Sequence, residues 1–282
     1  MIESVIFNNI EYNINSEIAE KFNNCFVDSI KDIRFSIEDV QYMNQISVIN
    51  CRFKFHTISL LELRNMSLSI KKKNYYTRIS NYIILDNWNL VGNILFEIIN
   101  KSMEAGIFPD NWKESLVTSI EKIRNTSKCD EFRSINSLKT KKEKVVEIVV
   151  KQQLESYMEE NKLLSKYHSG FRRKFSCETA VNYVVSYWKN AKNKRILVIF
   201  LDFMRAFETI DRAFLLRKLL KYGIENEGEL MWFRSYLTNR KQTTRVNKTE
   251  SIPIENKYGV PQGSILGALL FIMILLVCVT KI

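Results

Sequence analysis

The feature that most constrains the fold is a run of six apolar residues, 196–201, that ends at Asp202. A run of this length in which half the residues are β-branched predicts a strand buried on both faces. An acidic residue directly after such a strand lies at its open end, where water or a metal ion can reach it. A turn-forming or helix-capping aspartate is the alternative interpretation of the same position.

Several further stretches fit one family when they are taken with Asp202. Ala206 and Phe207 follow Asp202 at the fourth and fifth positions, and residues 259–267 read Gly-Val-Pro-Gln-Gly-Ser-Ile-Leu-Gly. Together these blocks resemble the reverse transcriptases of non-LTR retrotransposons of the jockey-like kind. The resemblance spans roughly residues 85 to 275, and it also rests on segments 169–173, 219–224 and 232–242.

This resemblance implies an α+β fold, the fingers and partial palm of a right-hand polymerase with an incomplete palm sheet. The run at 196–201 would be a palm strand. We expect residues 1–84 to form an N-terminal helical linker or extension region, and residues 85–282 to form the fingers and partial palm. Apolar spacing predicts helices at 18–30, 88–103, 144–158, 179–188, 214–220 and 229–237, and strands at 116–120 and 243–246.

The family's catalytic centre holds two Mg²⁺ ions, and Asp202 matches its first carboxylate ligand. The backbone carbonyl of Phe203 matches a neighbouring ligand. A metal pair needs at least two clustered carboxylates. The family supplies the others from an aromatic-x-Asp-Asp hairpin, a motif that this sequence does not contain, and the spacing of Glu208 and Asp211 does not let them substitute. We therefore expect a truncated, catalytically impaired copy with an incomplete Mg²⁺ site.

The resemblance also assigns a nucleotide-binding set. Phe207 matches the aromatic residue that excludes a ribose 2′-hydroxyl, while Gln262 and Gly263 match the turn that packs on nucleotide and template. Lys122 and Arg133 match the cations that face the triphosphate, a role that suits a point charge and a planar fork of donors. The alternative is that both are ordinary surface cations.

Two departures from the family pattern lie next to predicted nucleotide-binding residues: position 134 follows Arg133, and position 208 follows Phe207. Ser134 stands where the family has a proline, and Glu208 stands where an aspartate is usual.

The net charge of +11 suits a polyanionic partner. The partners implied by the family are an RNA template, a DNA primer and deoxynucleoside triphosphates. Basic loops predict phosphate contacts at Arg172, Arg173, Lys174, Arg240 and Lys241. The alternative function is a non-catalytic, basic nucleic-acid-binding remnant.

Five widely spaced cysteines without a Cys-x-x-Cys motif predict reduced thiols and a cytoplasmic or nuclear location. No signal peptide is recognisable at the N-terminus. The apolar run at 268–280 is shorter than the roughly 20 residues of a membrane span, so we expect a buried helix and no stable membrane association. An incomplete palm sheet would leave an exposed strand edge, which predicts poor solubility.

Overall fold

The computed structural model describes residues 2, 4–35, 50–69, 86–138, 141–191, 195–225, 227–261 and 263–279. Over these residues the chain alternates helices with short strands. The helices are α1 (Asn15–Phe35), α2 (Leu60–Ser69), α3 (Trp88–Ala105), α4 (Lys141–Glu160), α5 (Cys177–Asn190), α6 (Arg212–Lys221), α7 (Glu227–Leu237) and α8 (Ile265–Val279). The strands are β1 (Val5–Phe7), β2 (Ile10–Tyr12), β3 (Glu114–Glu121), β4 (Phe132–Leu138), β5 (Lys241–Val246), β6 (Thr249–Glu250) and β7 (Ile254–Glu255). The predicted helices and the strands at 116–120 and 243–246 are confirmed.

The main sheet has the order β4-β3-β5-β6, with β7 also paired to β5. Strand β3 runs antiparallel to β4 and parallel to β5. Along β4 the side chains alternate, because successive residues of a strand point to opposite faces. Phe132, Ser134 and Asn136 are buried, whereas Arg133 and Ile135 are exposed. This alternation points the Arg133 side chain away from the buried face of the sheet.

Helix α1 packs on this sheet and shares a core with it. Phe22 stacks on Phe26 and meets the ring of Phe132 edge-on at 4.8 Å between centroids. The fully buried Asn23 donates to the carbonyl oxygens of Gln242 and Ile252, and its own carbonyl accepts from the Gln242 and Thr244 side chains. Residues near the N-terminus are therefore an integral part of the sheet layer.

A disulfide joins Cys25 of α1 to Cys129, which lies just before β4. This corrects the expectation of reduced thiols for these two cysteines. The two residues are 104 positions apart, so sequence spacing carried no sign of the contact. Packing of α1 against the start of β4 brings them together.

The larger core lies among the helices. Trp232 and Tyr236 of α7 stack with their rings 5° from parallel, and Phe108 meets both rings edge-on. The apolar run near the C-terminus forms α8, and its Leu266, Leu269, Leu270, Ile272 and Met273 are buried in this core. Among the residues that the structure describes, no helix is both long and apolar enough to cross a membrane.

The prediction of a buried strand at 196–201 is wrong. This segment forms no strand, and its Leu197, Phe200 and Leu201 side chains are 86%, 86% and 80% exposed. A buried strand needs neighbours on its edges and faces, and in the described part of the chain no strand pairs with this segment. Helix α5 forms as predicted, but none of its residues is buried, including the predicted stripe of Val181, Val184, Val185 and Trp188.

Candidate nucleotide-binding site

A cleft of about 730 Å³ brings together most of the residues that the sequence predicted to bind nucleotide and metal. Lys122 follows the end of β3, and Arg133 lies near the start of β4. Asp202, Phe203 and Phe207 come from the turn that leads into α6, and all five residues line the cleft. The antiparallel pairing of β3 and β4 explains part of this arrangement, since residues on either side of that ladder's end come close.

The two most specific sequence blocks are hydrogen-bonded to each other. The backbone N–H of Gly259 donates to the Ile210 carbonyl at 2.8 Å, and that of Val260 donates to the Phe207 carbonyl at 2.9 Å. Gly259 has φ +71°, and a Cβ there would lie 2.5 Å from the Glu208 carbonyl oxygen. Only glycine permits both the left-handed backbone and this close approach. The 259–267 loop and the turn at residues 202–211, called the Asp202 turn below, are therefore fixed relative to each other.

The Phe207 side chain is held by two other rings. Its centroid lies 4.8 Å from that of Phe271 on α8 and 5.9 Å from that of Phe171. Aromatic contacts of this kind stabilise a side chain orientation beyond the burial of area alone. The packing holds Phe207 at the wall of the cleft, where the resemblance places the residue that tests for a 2′-hydroxyl.

Gly263 lies directly against β4. A Cβ on Gly263 would come 2.3 Å from the backbone carbonyl oxygen of Asn136, and its φ is +103°. The backbone of the predicted nucleotide-binding turn thus touches the strand that carries Arg133. The predicted partner residue Gln262 lies outside the described residues.

A chain of polar contacts connects α1, the Asp202 turn and β4. A guanidinium nitrogen of Arg205 donates to the Ser29 hydroxyl of α1, and the same nitrogen lies 3.9 Å from a carboxylate oxygen of Glu208. The Ser134 hydroxyl donates to the other Glu208 oxygen. Arg205 has φ +50°, so the turn contains a non-glycine residue in the left-handed region. Ser29, Asp32 and Ile33 of α1 also line the cleft, although the sequence predicted no site residue in this helix.

These contacts explain why two nearby carboxylates do not extend the Asp202 site. Glu208 is buried, and its carboxylate accepts a hydrogen bond from the Ser134 hydroxyl. Asp211 caps α6, accepting a hydrogen bond of 2.7 Å from the Phe214 backbone N–H. Asp32 of α1 also lines the cleft, but the described part of the chain contains no group of three or more His, Cys, Asp or Glu residues that could hold an ion, so the family's metal pair does not fit the described residues. Asp202 and Asp32 are exposed and each offers one carboxylate to the cleft.

Arg212 holds the start of the 259–267 loop, a role that the sequence did not reveal. Its three guanidinium nitrogens donate to the backbone carbonyls of Asn256 at 2.6 Å, Tyr258 at 2.8 Å and Gly259 at 2.9 Å. Burial, and to a lesser degree the nearby Arg240, lower the pKa of Arg212 to about 9. The group is still charged at neutral pH, so these are three charge-assisted hydrogen bonds.

Glu147 holds the other end of the same loop. It is fully buried, accepts from the Tyr236 hydroxyl at 2.7 Å, and accepts from the backbone N–H of Ile265, at the start of α8, at 2.7 Å. A negative charge at a helix N-terminus is favourable, but burial outweighs this and raises the pKa of Glu147. The sequence did carry a signal here, since Glu147 interrupts an otherwise apolar run at 145–150.

The residues predicted to contact nucleic acid differ in how exposed their side chains are. Arg173, Lys174 and Lys241 are exposed. Arg172 instead makes a two-pronged ion pair with Glu159, with both distances 2.8 Å. Arg240 is 3% exposed and stacks on Tyr236 while donating to its carbonyl. A guanidinium buried in this way does not reach a phosphate, so Arg240 holds the core together.

Comparison with known proteins gives a consistent result. Residues 120–282 match the family described as reverse transcriptase (RNA-dependent DNA polymerase). Three Drosophila melanogaster proteins are similar to this chain. The probable RNA-directed DNA polymerase from transposon BS is 28% identical over 182 residues, which are 62% of this chain and 19% of that protein.

The other two relatives also belong to mobile elements. The RNA-directed DNA polymerase from mobile element jockey is 27% identical over 76% of this chain and 24% of its own length. The putative 115 kDa protein in type-1 retrotransposable element R1DM is 27% identical over 64% of this chain and 17% of its own length. The chain thus spans at most about a quarter of these relatives. Since the family match covers more than half of the chain and includes most of the residues that line the cleft, this chain belongs to the reverse transcriptase (RNA-dependent DNA polymerase) family.

Proposed function

We propose that this chain supplies the fingers and partial palm of an RNA-directed DNA polymerase and binds a deoxynucleoside triphosphate in the cleft. The observation that supports this is the presence of two cations, Lys122 and Arg133, in the same cleft as Asp202 and Phe207. The resemblance assigns Lys122, Arg133 and Phe207 to nucleotide binding and Asp202 to the metal site. Their meeting in one cleft is what nucleotide binding requires.

Each residue has a distinct part in this proposal. The Arg133 guanidinium would grip phosphate oxygens through paired donors, and Lys122 would add a point charge. Phe207, fixed by Phe271 and Phe171, would exclude a ribose 2′-hydroxyl and so favour deoxynucleotides. The 259–267 loop would cover the base, and Arg212 and Glu147 would hold that loop in place.

The isolated chain is expected to bind nucleotide and to leave the primer unextended. Divalent metal would neutralise the triphosphate and activate the primer hydroxyl, and the family uses it in that way. Asp202 with the Phe203 carbonyl offers too few ligands to hold the Mg²⁺ pair by themselves. Breaking a catalytic constellation lowers the rate by orders of magnitude.

The test is titration of the purified chain with a fluorescent deoxynucleoside triphosphate. The double variant Lys122→Ala/Arg133→Ala is expected to raise the Kd by at least about tenfold, since two charged contacts are lost. Arg64→Ala removes an exposed cation of α2 and serves as the matched control. Equal affinity in wild type and double variant would contradict the proposal. Primer extension abolished by Asp202→Ala would refute the proposed impairment.

Binding of nucleic acid without catalysis is the second candidate. It is supported by the exposure of Arg173, Lys174 and Lys241 and by the net charge of +11. Such binding is dominated by phosphate contacts, so its affinity falls steeply with salt. Titration of single-stranded RNA at several salt concentrations is expected to show a smaller salt slope for Arg173→Ala/Lys174→Ala. An unchanged salt dependence of the affinity would show that Arg173 and Lys174 do not contact the RNA. A cytoplasmic or nuclear location is part of the proposal because its partners are RNA and nucleotides, whereas the Cys25–Cys129 disulfide, of a kind rare in those compartments, argues against it.

A further inference from the structure

The connection between β3 and β4 carries a cleft cation at each end. Lys122 follows β3 directly, and Arg133 is the second residue of β4. The backbone N–H of Lys122 donates to the Glu131 carbonyl at 2.8 Å, one step beyond the last register pair of the two strands. The geometry of residues 122–133 therefore sets the spacing of the two positive charges.

Cys129 fastens this connection to α1. Its sulfur is bonded to that of Cys25, and it lies four residues before Arg133. On α1, Cys25 shares one helical face with Ser29 and Asp32, four and seven residues further on, and both of these line the cleft. The disulfide thus joins two walls of the cleft, α1 and the connection that carries the two cations.

Non-covalent contacts also hold this connection. The Phe132 ring meets that of Phe22 on α1 edge-on, with 4.8 Å between centroids, and the backbone N–H of Ile6 in β1 donates to the Ser127 carbonyl at 2.7 Å. Contacts of this kind open in local fluctuations at a lower free energy than unfolding of the whole chain. After reduction of the disulfide, we therefore expect a chain that stays folded and in which residues 122–133 sample more positions relative to α1.

The proposed location of the chain also bears on this disulfide. The cytoplasm and the nucleus are reducing, and permanent structural disulfides are rare there. Disulfides that do form in those compartments are usually transient and take part in catalysis or redox sensing. A reversible bond between Cys25 and Cys129 is therefore consistent both with the structure and with RNA and nucleotides as partners.

We propose that Cys25 and Cys129 form a reversible thiol–disulfide site that sets the affinity of the cleft for a deoxynucleoside triphosphate, with the oxidised form binding more tightly. This inference rests on the proposed function. Two cations held at a fixed spacing bind a triphosphate without first being ordered, which favours affinity. If reduction lowers the fraction of chains with both cations in place to about one third, the Kd rises about threefold.

The chemistry is thiol–disulfide exchange with a dithiol. A thiolate of the dithiol attacks the sulfur of Cys25, which is half-buried, and Cys129, 5% exposed, leaves as a thiolate and takes up a proton. The second thiol of the reductant then displaces Cys25 from the mixed disulfide, and Cys25 takes up the second proton. The two cysteine sulfurs gain two electrons, and the dithiol is oxidised to its own disulfide. A disulfide such as glutathione disulfide reverses the reaction and is itself reduced to two thiols.

The first experiment titrates the full chain with a fluorescent deoxynucleoside triphosphate in three states: oxidised, reduced with dithiothreitol, and reoxidised with glutathione disulfide. Reduction is expected to raise the Kd by about threefold or more, and reoxidation is expected to restore it. Alkylation followed by mass spectrometry reports the state of the site. Cys25 and Cys129 are expected to escape alkylation before reduction and to be modified after it.

Two variants separate this site from other effects of the reductant. Cys25→Ser/Cys129→Ser is expected to bind nucleotide as the reduced wild type does, with or without dithiothreitol. Cys177→Ser removes an exposed free thiol and is the matched control, so it should respond to dithiothreitol as wild type does. Reduction of the unmodified wild type gives the same comparison without any substitution, so the test does not depend on folding of the double variant.

Hydrogen exchange without nucleotide gives a second readout. Amides of residues 122–133 are expected to exchange faster after reduction of wild type, and the rates of the double variant should not respond to dithiothreitol. Equal Kd values for the oxidised and reduced chain would overturn this inference and leave the proposed function standing. Absence of binding in both states would overturn the proposed function and with it the effect on affinity. Alkylation of both cysteines before reduction, or exchange rates that ignore the redox state, would refute the thiol–disulfide site itself.

Discussion

Replacement of Arg212 by methionine is expected to destabilise the chain and to weaken nucleotide binding together. Met has a comparable length and keeps the apolar contacts of the stem, but it donates no hydrogen bond. The carbonyls of Asn256, Tyr258 and Gly259 would each lose a donor that now lies 2.6–2.9 Å away. The loss falls on the start of the loop whose N–H groups bond the Asp202 turn.

The magnitude follows from opposing contributions. Hydrogen bonds from a charged donor contribute about 1.5–3 kcal/mol each when measured singly, so the three of Arg212 contribute at most roughly 4.5–9 kcal/mol. Burial of the guanidinium opposes this by several kcal/mol, and the lowering of its pKa to about 9 reflects that cost. A net loss of about 3 kcal/mol on substitution results, a large part of a typical 5–15 kcal/mol total.

The assay is urea unfolding of wild type, Arg212→Met, Arg212→Lys and Arg217→Met, each with a nucleotide titration. Arg217 is exposed on the same helix, so its loss is expected to change stability by less than about 0.5 kcal/mol. Arg212→Lys is expected to fall in between, because an ammonium cannot match a planar fork spanning three carbonyls. A loss of unfolding free energy below about 1 kcal/mol for Arg212→Met, or one equal to that of Arg217→Met, would refute the role of Arg212 in holding the start of the 259–267 loop.

Three further outcomes are expected. Burial raises the pKa of Glu147 above its usual 4.5, so the folded state binds a proton that the unfolded state releases, and stability declines as pH rises from 4.5 towards the folded pKa. Glu147→Gln should remove this pH dependence of the melting temperature. An unchanged pH dependence in the variant would contradict the prediction. A double-mutant cycle of Ser134→Ala and Glu208→Gln should give a coupling of about 1–2 kcal/mol in unfolding free energy, whereas additive effects would show no direct contact. Cys25→Ser should lower unfolding free energy by about 2–4 kcal/mol without reductant. An equal difference from wild type in dithiothreitol would show that the disulfide to Cys129 is not the cause.

The sequence predicted local structure well where one face of a helix is apolar. The stripe containing Val146, Val149 and Leu154 placed α4, and these residues are fully buried. The stripe on α5 also predicted a helix, yet that helix buries nothing. Periodicity fixes the shape of a segment, because backbone hydrogen bonds within a helix are local. It does not supply the surface against which the helix would pack.

The error at 196–201 has the same origin. A strand has no local hydrogen bonds, so its formation depends on a neighbour that the segment's own residues do not encode. The hydrogen bonds of Arg212 and the disulfide of Cys25 were missed for a related reason. The partners of Arg212 lie 44 to 47 residues away in sequence, and the partner of Cys25 lies 104 residues away. The cleft residues were predicted only because a family resemblance already carries such non-local information.

The two departures at Ser134 and Glu208 bear on how this chain is interpreted. Taken separately, each suggests loss of the family's pattern: a proline replaced, and an aspartate lengthened by one methylene. In the structure they contact each other, since the Ser134 hydroxyl donates to the Glu208 carboxylate. A proline at 134 has no hydroxyl or N–H to donate, so Glu208, buried as it is, would lose that partner. The pair therefore holds β4 against the Asp202 turn by a contact that the usual residues cannot make. This contact involves neither Asp202 nor the Phe203 carbonyl, so this wall of the cleft does not depend on the residues proposed to hold metal.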